Sequence, residues 1–275
     1  MTVPQVTLND GVQIPQLGYG VWRVPNDEVV APVLTALETG YRHIDTAAVY
    51  RNEEGVGEAL KQSGITRDEV FVTSKLWNDK HKAADAREAI ETTLTKLGLD
   101  HLDLYLIHWP ATAKYGDDYI EAWDALQQFR AEGLTRSIGV SNFNPEHLDK
   151  LNGAVPSLNQ VERHPSFNRA ELFGELKARG IALEAWSPLG NQRDPSDLDL
   201  PAVKQVAEQT GLSPAQVIIR WHLQTGDIVI PKSVTPSRIA ENFDVFGVEL
   251  SAEQVELLSG LDAGNRQGGD PLTQA

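Results

Sequence analysis

The chain has 275 residues, no cysteine, and 24 Lys+Arg against 39 Asp+Glu, for a formal charge of -15. Without thiols there is no disulfide, thiolate metal site or catalytic cysteine, and the acidic balance argues against a general nucleic-acid binder. No apolar run approaches membrane-spanning length and Met1-Thr2-Val3-Pro4 does not open a signal peptide, so the reading is one soluble, cytoplasmic domain over residues 1–275, with 264–275 as a mobile tail.

In chain order, residues 5–8 and 12–15 flank Asn9-Asp10-Gly11 and predict a hairpin, expected to plug the bottom of a barrel built by the later strands. Short β-rich runs then alternate with helix-periodic ones; the expected strands are 17–21, 41–45, 70–75, 103–108, 135–140, 158–162, 181–186 and 228–230. Several are unbroken apolar stretches, as expected where helices cover a parallel sheet. The clearest helix is 85–97, where Ala86, Ala89, Ile90, Leu94 and Leu97 form one stripe and Gly98 supplies the stop. Another opens on Thr235 as N-cap with Pro236 at the first helical position. Eight such strands over this length predict a single α/β fold, a (β/α)8 TIM barrel, rather than an open doubly wound sheet. The glycine fingerprint of the doubly wound fold is also missing: after Gly18-Tyr19-Gly20 the third position holds Arg23, and Gly55-Val56-Gly57 lies at a helix start.

Asp45, Tyr50, Lys75 and His108 each stand at or just past the end of an expected strand, so a closed barrel gathers them at one mouth. A tyrosine serves as general acid toward a carbonyl when a protonated lysine favours its phenolate, and a carboxylate keeps a partly desolvated lysine charged. Tyr50, Lys75 and Asp45 therefore read as a relay, with His108 donating a hydrogen bond to the substrate oxygen. Each alone has a structural explanation as cap, loop anchor, surface lysine or buried histidine, but their coincidence at consecutive strand ends points to a site. Elsewhere, Pro231-Lys232-Ser233 and Thr235-Pro236-Ser237-Arg238 concentrate cations and hydroxyls in an otherwise acidic chain.

The stretches His43-Ile44-Asp45-Thr46-Ala47 with Tyr50, Thr73-Ser74-Lys75-Leu76-Trp77, Leu104-Tyr105-Leu106-Ile107-His108-Trp109-Pro110 and Ile138-Gly139-Val140-Ser141-Asn142-Phe143 resemble aldo-keto reductase motifs. The similarity runs from the hairpin to about residue 262 and is greatest to the bacterial branch that includes 2,5-diketo-D-gluconate reductases. The resemblance implies Tyr50 as proton donor, Asp45 and Lys75 as its tuning pair and His108 as the substrate-orienting residue. It also implies NADPH bound without a Rossmann fold: Ser141, Asn142 and Gln160 on the nicotinamide carboxamide, Trp186 stacked on the ring, and Ser187, Pro188 and Leu189 along the pyrophosphate. The cationic cluster then acquires a ligand, since Lys232, Ser233, Thr235, Arg238 and a helix amino terminus would meet a 2′-phosphate. Glu241 and Asn242 would face the adenine, and Trp22, Asp45, Ile230 and Val234 complete the implied coenzyme contacts. Substrate contacts would come from Tyr50, His108 and the aromatic walls Trp22, Trp77 and Trp109. The resemblance places the C-terminal tail after Leu261, which matches the family least, near the mouth, where in the family it folds over and sets substrate preference.

The implied reaction is NADPH-dependent reduction of aldehydes and ketones, such as small dicarbonyls, keto sugars or sugar acids, by a cytoplasmic monomer. Two positions depart from the family pattern: Arg51, where glycine is usual, read either as solvated or as a carboxylate-selecting group at the pocket rim, and Arg163, which interrupts Gln160-Val161-Glu162 and His164-Pro165 and reads as solvated. Two rival readings are a non-catalytic nicotinamide-binding protein on the same scaffold and a metal-dependent barrel hydrolase using His43, Asp45, His108, Glu162 and His164.

Overall fold

Eight short parallel strands, each with side chains alternating between the barrel interior and the surrounding helices, organise the chain. The computed structural model describes residues 3–190 and 196–274; Met1, Thr2 and Ala275, on which parts of the terminal expectations fall, lie outside the described residues. The strands are β1 (Gln5–Thr7), β2 (Gln13–Pro15), β3 (Tyr19–Gly20), β4 (His43–Asp45), β5 (Phe71–Leu76), β6 (Leu102–Ile107), β7 (Thr135–Ser141), β8 (Leu158–Glu162), β9 (Ala182–Trp186) and β10 (Ile228–Val229). Strands β3 to β10 pair in sequence order, all parallel. The last meets the first: Gly18 N–H donates to the Val229 carbonyl at 2.9 Å and Val229 N–H to that of Gln16 at 2.9 Å, closing the barrel. The expected (β/α)8 architecture is therefore what the chain adopts, with each observed strand inside or within one residue of its expected run.

The interior changes character from bottom to top. Inward positions at the strand starts are apolar, and Phe71, Leu104, Leu158 and Ile228 pack with Leu8 and Ile14 of the antiparallel β1–β2 hairpin, which closes that end as expected. Outward positions such as Ile44, Val72, Tyr105, Val140 and Val161 join the main core with helix residues that include Val56, Ile90, Leu94 and Trp123. Burying each such side chain contributes about 1.5–3 kcal/mol, which explains why these strands read as continuous apolar runs.

The helix Ala83–Leu97 buries Ala86, Ile90, Leu94 and Leu97 and stops where Gly98 takes φ 66. The helix Pro236–Phe243 has Thr235 at its N-cap position, but the Thr235 side chain makes no capping bond; the Ser233 hydroxyl instead accepts the Thr235 N–H at 3.1 Å. The glycines that mimicked a phosphate fingerprint serve packing: a Cβ on Gly18 would lie 2.5 Å from His43 Nδ1, and one on Gly57 2.5 Å from the Leu97 carbonyl. Among the described residues no helix is long and apolar enough to cross a membrane.

Three expectations need correction. Residues 264–274 are not a free tail: Ala263 and Asn265 N–H donate to the Ser166 carbonyl at 3.0 and 3.1 Å, and Gln267 and Gly268 N–H donate to Glu162 at 2.7 and 2.9 Å. Arg163 is buried rather than solvated, paired with Asp227 and lying 4.6 Å over the Trp221 ring, so its charge is compensated inside the fold. Arg51 is exposed and does not line the mouth; it takes the left-handed φ 58 after the turn Ala48–Tyr50, a conformation glycine reaches without strain.

Candidate active site

Because strand side chains alternate with period two, the inward face of each strand can be read from bottom to mouth. On β5 it runs Phe71, Thr73, Lys75; on β8 Leu158, Gln160, Glu162; on β9 Ala182, Glu184, Trp186. The apolar residue sits near the hairpin and the polar or aromatic one near the mouth. His108 follows β6 by one residue, anchored by its N–H to the Leu76 carbonyl at 3.0 Å. Tyr50 arrives from the turn after β4.

The four expected catalytic side chains meet there. Lys75 Nζ, with no solvent exposure, donates to both Asp45 oxygens at 2.7 and 2.9 Å and to the Thr46 carbonyl at 2.8 Å. The ammonium lies 5.1 Å from the centroid of the half-buried Tyr50 ring. Tyr50 and His108 rings sit edge to face at 5.7 Å, and Trp77 lies 5.2 Å from His108 on the other side.

Titration follows from this burial. Desolvation lowers the Lys75 ammonium, but Asp45 and Tyr50 more than restore it, so the group stays cationic. Burial raises the Asp45 carboxyl, and Lys75 and Gln160 pull it back. Burial and the Lys75 charge hold His108 well below the ordinary imidazole value, which leaves it neutral and able to donate. The expectation for Tyr50 is corrected: burial raises the phenol to about 12, and the pull of Lys75 is partly opposed by Asp45 and Glu184. A lysine already neutralised by a bidentate carboxylate presents a dipole, rather than a bare charge, to the resting phenol.

The surrounding side chains are tied to one another. Gln160 Nε2 donates to Asp45 Oδ2 and to Glu184 Oε2, both at 2.7 Å, fixing its amide. Asn142, at φ 64, donates to the His108 carbonyl at 3.0 Å and accepts from Trp186 Nε1 at 2.9 Å. Ser141 Oγ donates to the Gln160 carbonyl at 2.8 Å, and Ser187 takes φ 48 at the end of β9. Such positive φ values on residues other than glycine are a form of strain found at functional sites.

A cavity of about 1520 Å³ spans the mouth. Every side chain assigned above to catalysis, coenzyme or substrate lines it, except Lys75, which lies beneath. One end is walled by Trp22, Trp77 and Trp109; at the other, Lys232 and Arg238 are exposed beside the amino terminus of the helix Pro236–Phe243 and form no ion pair among the described residues. Tyr19 holds this end in place by donating its hydroxyl to the Ser233 carbonyl. The cations and the free N–H groups of the helix start can take an anion. The cavity exceeds what one small ligand needs, so two can lie end to end.

One site residue, Glu184, escaped the sequence reading, and another, Glu162, entered it only as a ligand of the hydrolase alternative. Glu184 binds Gln160 beneath the mouth, and burial raises its carboxyl to about 8. Glu162 holds the C-terminal segment. Glu184 is a single charge inside the apolar run Ala182–Trp186, Glu162 closes the strand Leu158–Glu162, and each lies two positions from another site residue on the same inward face, which was the available signal. The residues of the hydrolase alternative do not converge: His43 contacts Thr73 Oγ1 at 3.2 Å, Asp45 holds Lys75, and Glu162 and His164 belong to a separate network with Asp197. Among the described residues no three His, Asp or Glu side chains form a metal shell.

A profile described as the Aldo/keto reductase family matches residues 15–263. The chain is 48% identical over 269 residues to methylglyoxal reductase DkgA of Escherichia coli K12, covering 97% of this chain and 96% of the relative. It is 48% identical over 273 residues to an aldo-keto reductase of Mycolicibacterium smegmatis, covering 98% of each. The crystal structure of an aldo/keto reductase from Brucella melitensis superposes with TM-score 0.91 at 50% identity, over 95% of this chain and 99% of that one. A mutant of Gox0644 in complex with NADPH superposes with TM-score 0.94 at 42% identity over the full length of both. With the barrel, the tyrosine, lysine, aspartate and histidine at its mouth, and a match across the whole barrel, the chain belongs to the aldo/keto reductase family.

Proposed function

We infer that this chain reduces aldehydes and ketones to alcohols with NADPH. The observation that carries the reading is the meeting of Tyr50, Lys75, Asp45 and His108 at the floor of a cavity whose far end is cationic. The residues fit the coenzyme: Lys232 and Arg238 offer charge for a 2′-phosphate, and Gln160, its amide nitrogen committed to the carboxyl groups of Asp45 and Glu184, keeps its oxygen for the carboxamide N–H. Ser141, Asn142 and Trp186 lie beside it, Ser187, Pro188 and Leu189 line the path between, and Trp22, Ile230, Val234, Glu241 and Asn242 flank the remainder. Bound NADPH supplies the hydride for the carbonyl carbon.

The protein's own groups handle the oxygen. Neutral His108 donates a hydrogen bond that orients the carbonyl, and Tyr50 delivers its proton as negative charge develops. Lys75 then stabilises the phenolate that this transfer leaves. Relatives named methylglyoxal reductases make small dicarbonyl compounds the first substrates to test. A cytoplasmic monomer is the accompanying proposal, supported by a site assembled within one chain and by the strongly acidic charge of -15.

Tyr50→Phe is the direct test. Removing a general acid costs about 10²–10⁴ in rate, so kcat for methylglyoxal reduction should fall by that factor. The NADPH dissociation constant, read from quenching of tryptophan fluorescence, should change less than about twofold, because the phenol hydroxyl serves the chemical step. Undiminished turnover in this variant would remove Tyr50 from the mechanism, and coenzyme binding without turnover in the unaltered chain would favour the non-catalytic alternative.

A further inference from the structure

We propose that Glu162 is a specificity-determining positioning residue, whose carboxylate seats the C-terminal segment against the tryptophan walls and thereby sets the width of the substrate mouth. This rests on the reductase reading. Glu162 ends β8 directly opposite Trp186 in the parallel register, and it is almost fully buried. Its two oxygens take two successive backbone N–H groups, Gln267 at 2.7 Å and Gly268 at 2.9 Å. These are short, charge-assisted bonds converging on one carboxylate.

That carboxylate is itself held from behind. His164 Nε2 lies 3.2 Å from Glu162 Oε1, and His164 Nδ1 lies 2.8 Å from Asp197 Oδ2. Asp197 is further fixed by the Ser166 hydroxyl at 2.6 Å and the Ser166 N–H at 3.0 Å. Glu162 therefore cannot follow the segment if the segment lifts.

What is seated there matters for the mouth. A Cβ on Gly268 would lie 2.2 Å from Trp186 Cη2, and one on Gly269 would lie 3.1 Å from Trp109 Cη2. The two glycines let the backbone come close to the outer edges of the two indoles, whose rings meet edge to face with centroids 6.5 Å apart. Gln267, Gly268, Gly269 and Gln274 all line the cavity. Upstream, the segment is tied to Ser166 through Ala263 and Asn265; over the mouth, Glu162 supplies the two backbone anchors at Gln267 and Gly268. Releasing it opens the wall formed by Trp109, Trp186 and the segment, which weakens contact with a small carbonyl compound while admitting a bulky one.

Glu162→Gln keeps the volume but replaces one acceptor oxygen with a donor, so one of the two N–H groups loses its partner. Gly268→Ala pushes the segment away from the other side, since its Cβ would lie 2.2 Å from Trp186 Cη2 and 2.9 Å from Glu162 Oε2, while leaving both Glu162 acceptor oxygens in place. In the full-length chain, amide hydrogen exchange at Gln267 and Gly268 should accelerate by about tenfold or more in both variants. KM for methylglyoxal should rise about tenfold, whereas KM for a bulky substituted benzaldehyde should stay within about twofold or fall.

Unchanged exchange in Glu162→Gln would overturn the seating. Accelerated exchange with the same factor in KM for both aldehydes would overturn the assignment of mouth width. Absence of any NADPH-dependent turnover in the unaltered chain would overturn the reductase reading and the width assignment with it, while exchange still decides whether Glu162 seats the segment.

Discussion

An ammonium enclosed by a carboxylate, a carbonyl and an aromatic face is the chemical centre of this molecule. Lys75 is stable there only because Asp45 lies 2.7 Å away; a buried charge that loses its partner costs about 3–5 kcal/mol. The four residues were legible from sequence as strand-end positions, but the balance among them was not. Whether a phenol is raised or lowered depends on how deeply it is buried and on how much of the lysine charge another group consumes. Burial wins in Tyr50. The coenzyme end is simpler because Lys232 and Arg238 are exposed and form no ion pair among the described residues. A hydrogen bond to a charged group contributes about 1.5–3 kcal/mol, so Lys232→Ala and Arg238→Ala should each raise KM for NADPH about 10- to 100-fold. KM for NADH should move by less than about twofold, since NADH lacks the 2′-phosphate. Equal effects on both coenzymes would dismiss the phosphate assignment.

At the scale of elements, period and punctuation carried the prediction. Runs such as residues 104–107 of β6 could be placed because a strand covered on both faces has no polar side to interrupt it. Less legible were contacts set by a neighbour's position. Gly57 is helical, with no unusual turn to announce it, yet its Cα lies where the helix Glu53–Ser63 meets the carbonyl end of the helix Ala83–Leu97. Because a Cβ there would stand 2.5 Å from the Leu97 carbonyl, Gly57→Ala must push two helices apart. Overpacking of this kind costs about 1–3 kcal/mol, and the urea midpoint should fall accordingly, although alanine alone is the better helix former. A midpoint that rises would show that the helices yield freely. Thr235 illustrates a smaller gap: its place at the helix start followed from Pro236, but the hydroxyl used there is that of Ser233.

For the whole molecule, buried titratable groups set the pH dependence of stability. Burial holds five of the seven histidines, His43, His81, His108, His147 and His222, below the usual imidazole value. The unfolded chain protonates them near pH 6.5, so their contribution is complete above that pH and is lost as pH falls toward the folded values, about 4 for His81 and about 3 for His43. His164 has the opposite sign. Burial works against its cation, but Asp197 and Glu162 raise it to about 9, so its contribution is complete below pH 6.5 and lost as pH rises through 9. A shift of that size is worth roughly 3 kcal/mol. Glu184, raised to about 8 by burial, also loses stability as pH rises through that value. The melting temperature should therefore peak near pH 6.5 and fall on both sides. Monotonic stabilisation from pH 6.5 to 9 would contradict the His164 assignment.

The sequence by itself determined the barrel, the mouth at which Asp45, Tyr50, Lys75 and His108 gather, and the cationic stretch from Lys232 to Arg238, because these depend on local period, strand ends and charge spacing. Tertiary structure alone decided that Arg163 is buried, that the segment after Gly264 rests on Glu162, and that Tyr50 keeps its proton into the alkaline range. Those outcomes depend on partners 64 and 105 residues away along the chain and on how fully water is excluded. Neither quantity is written in any local pattern.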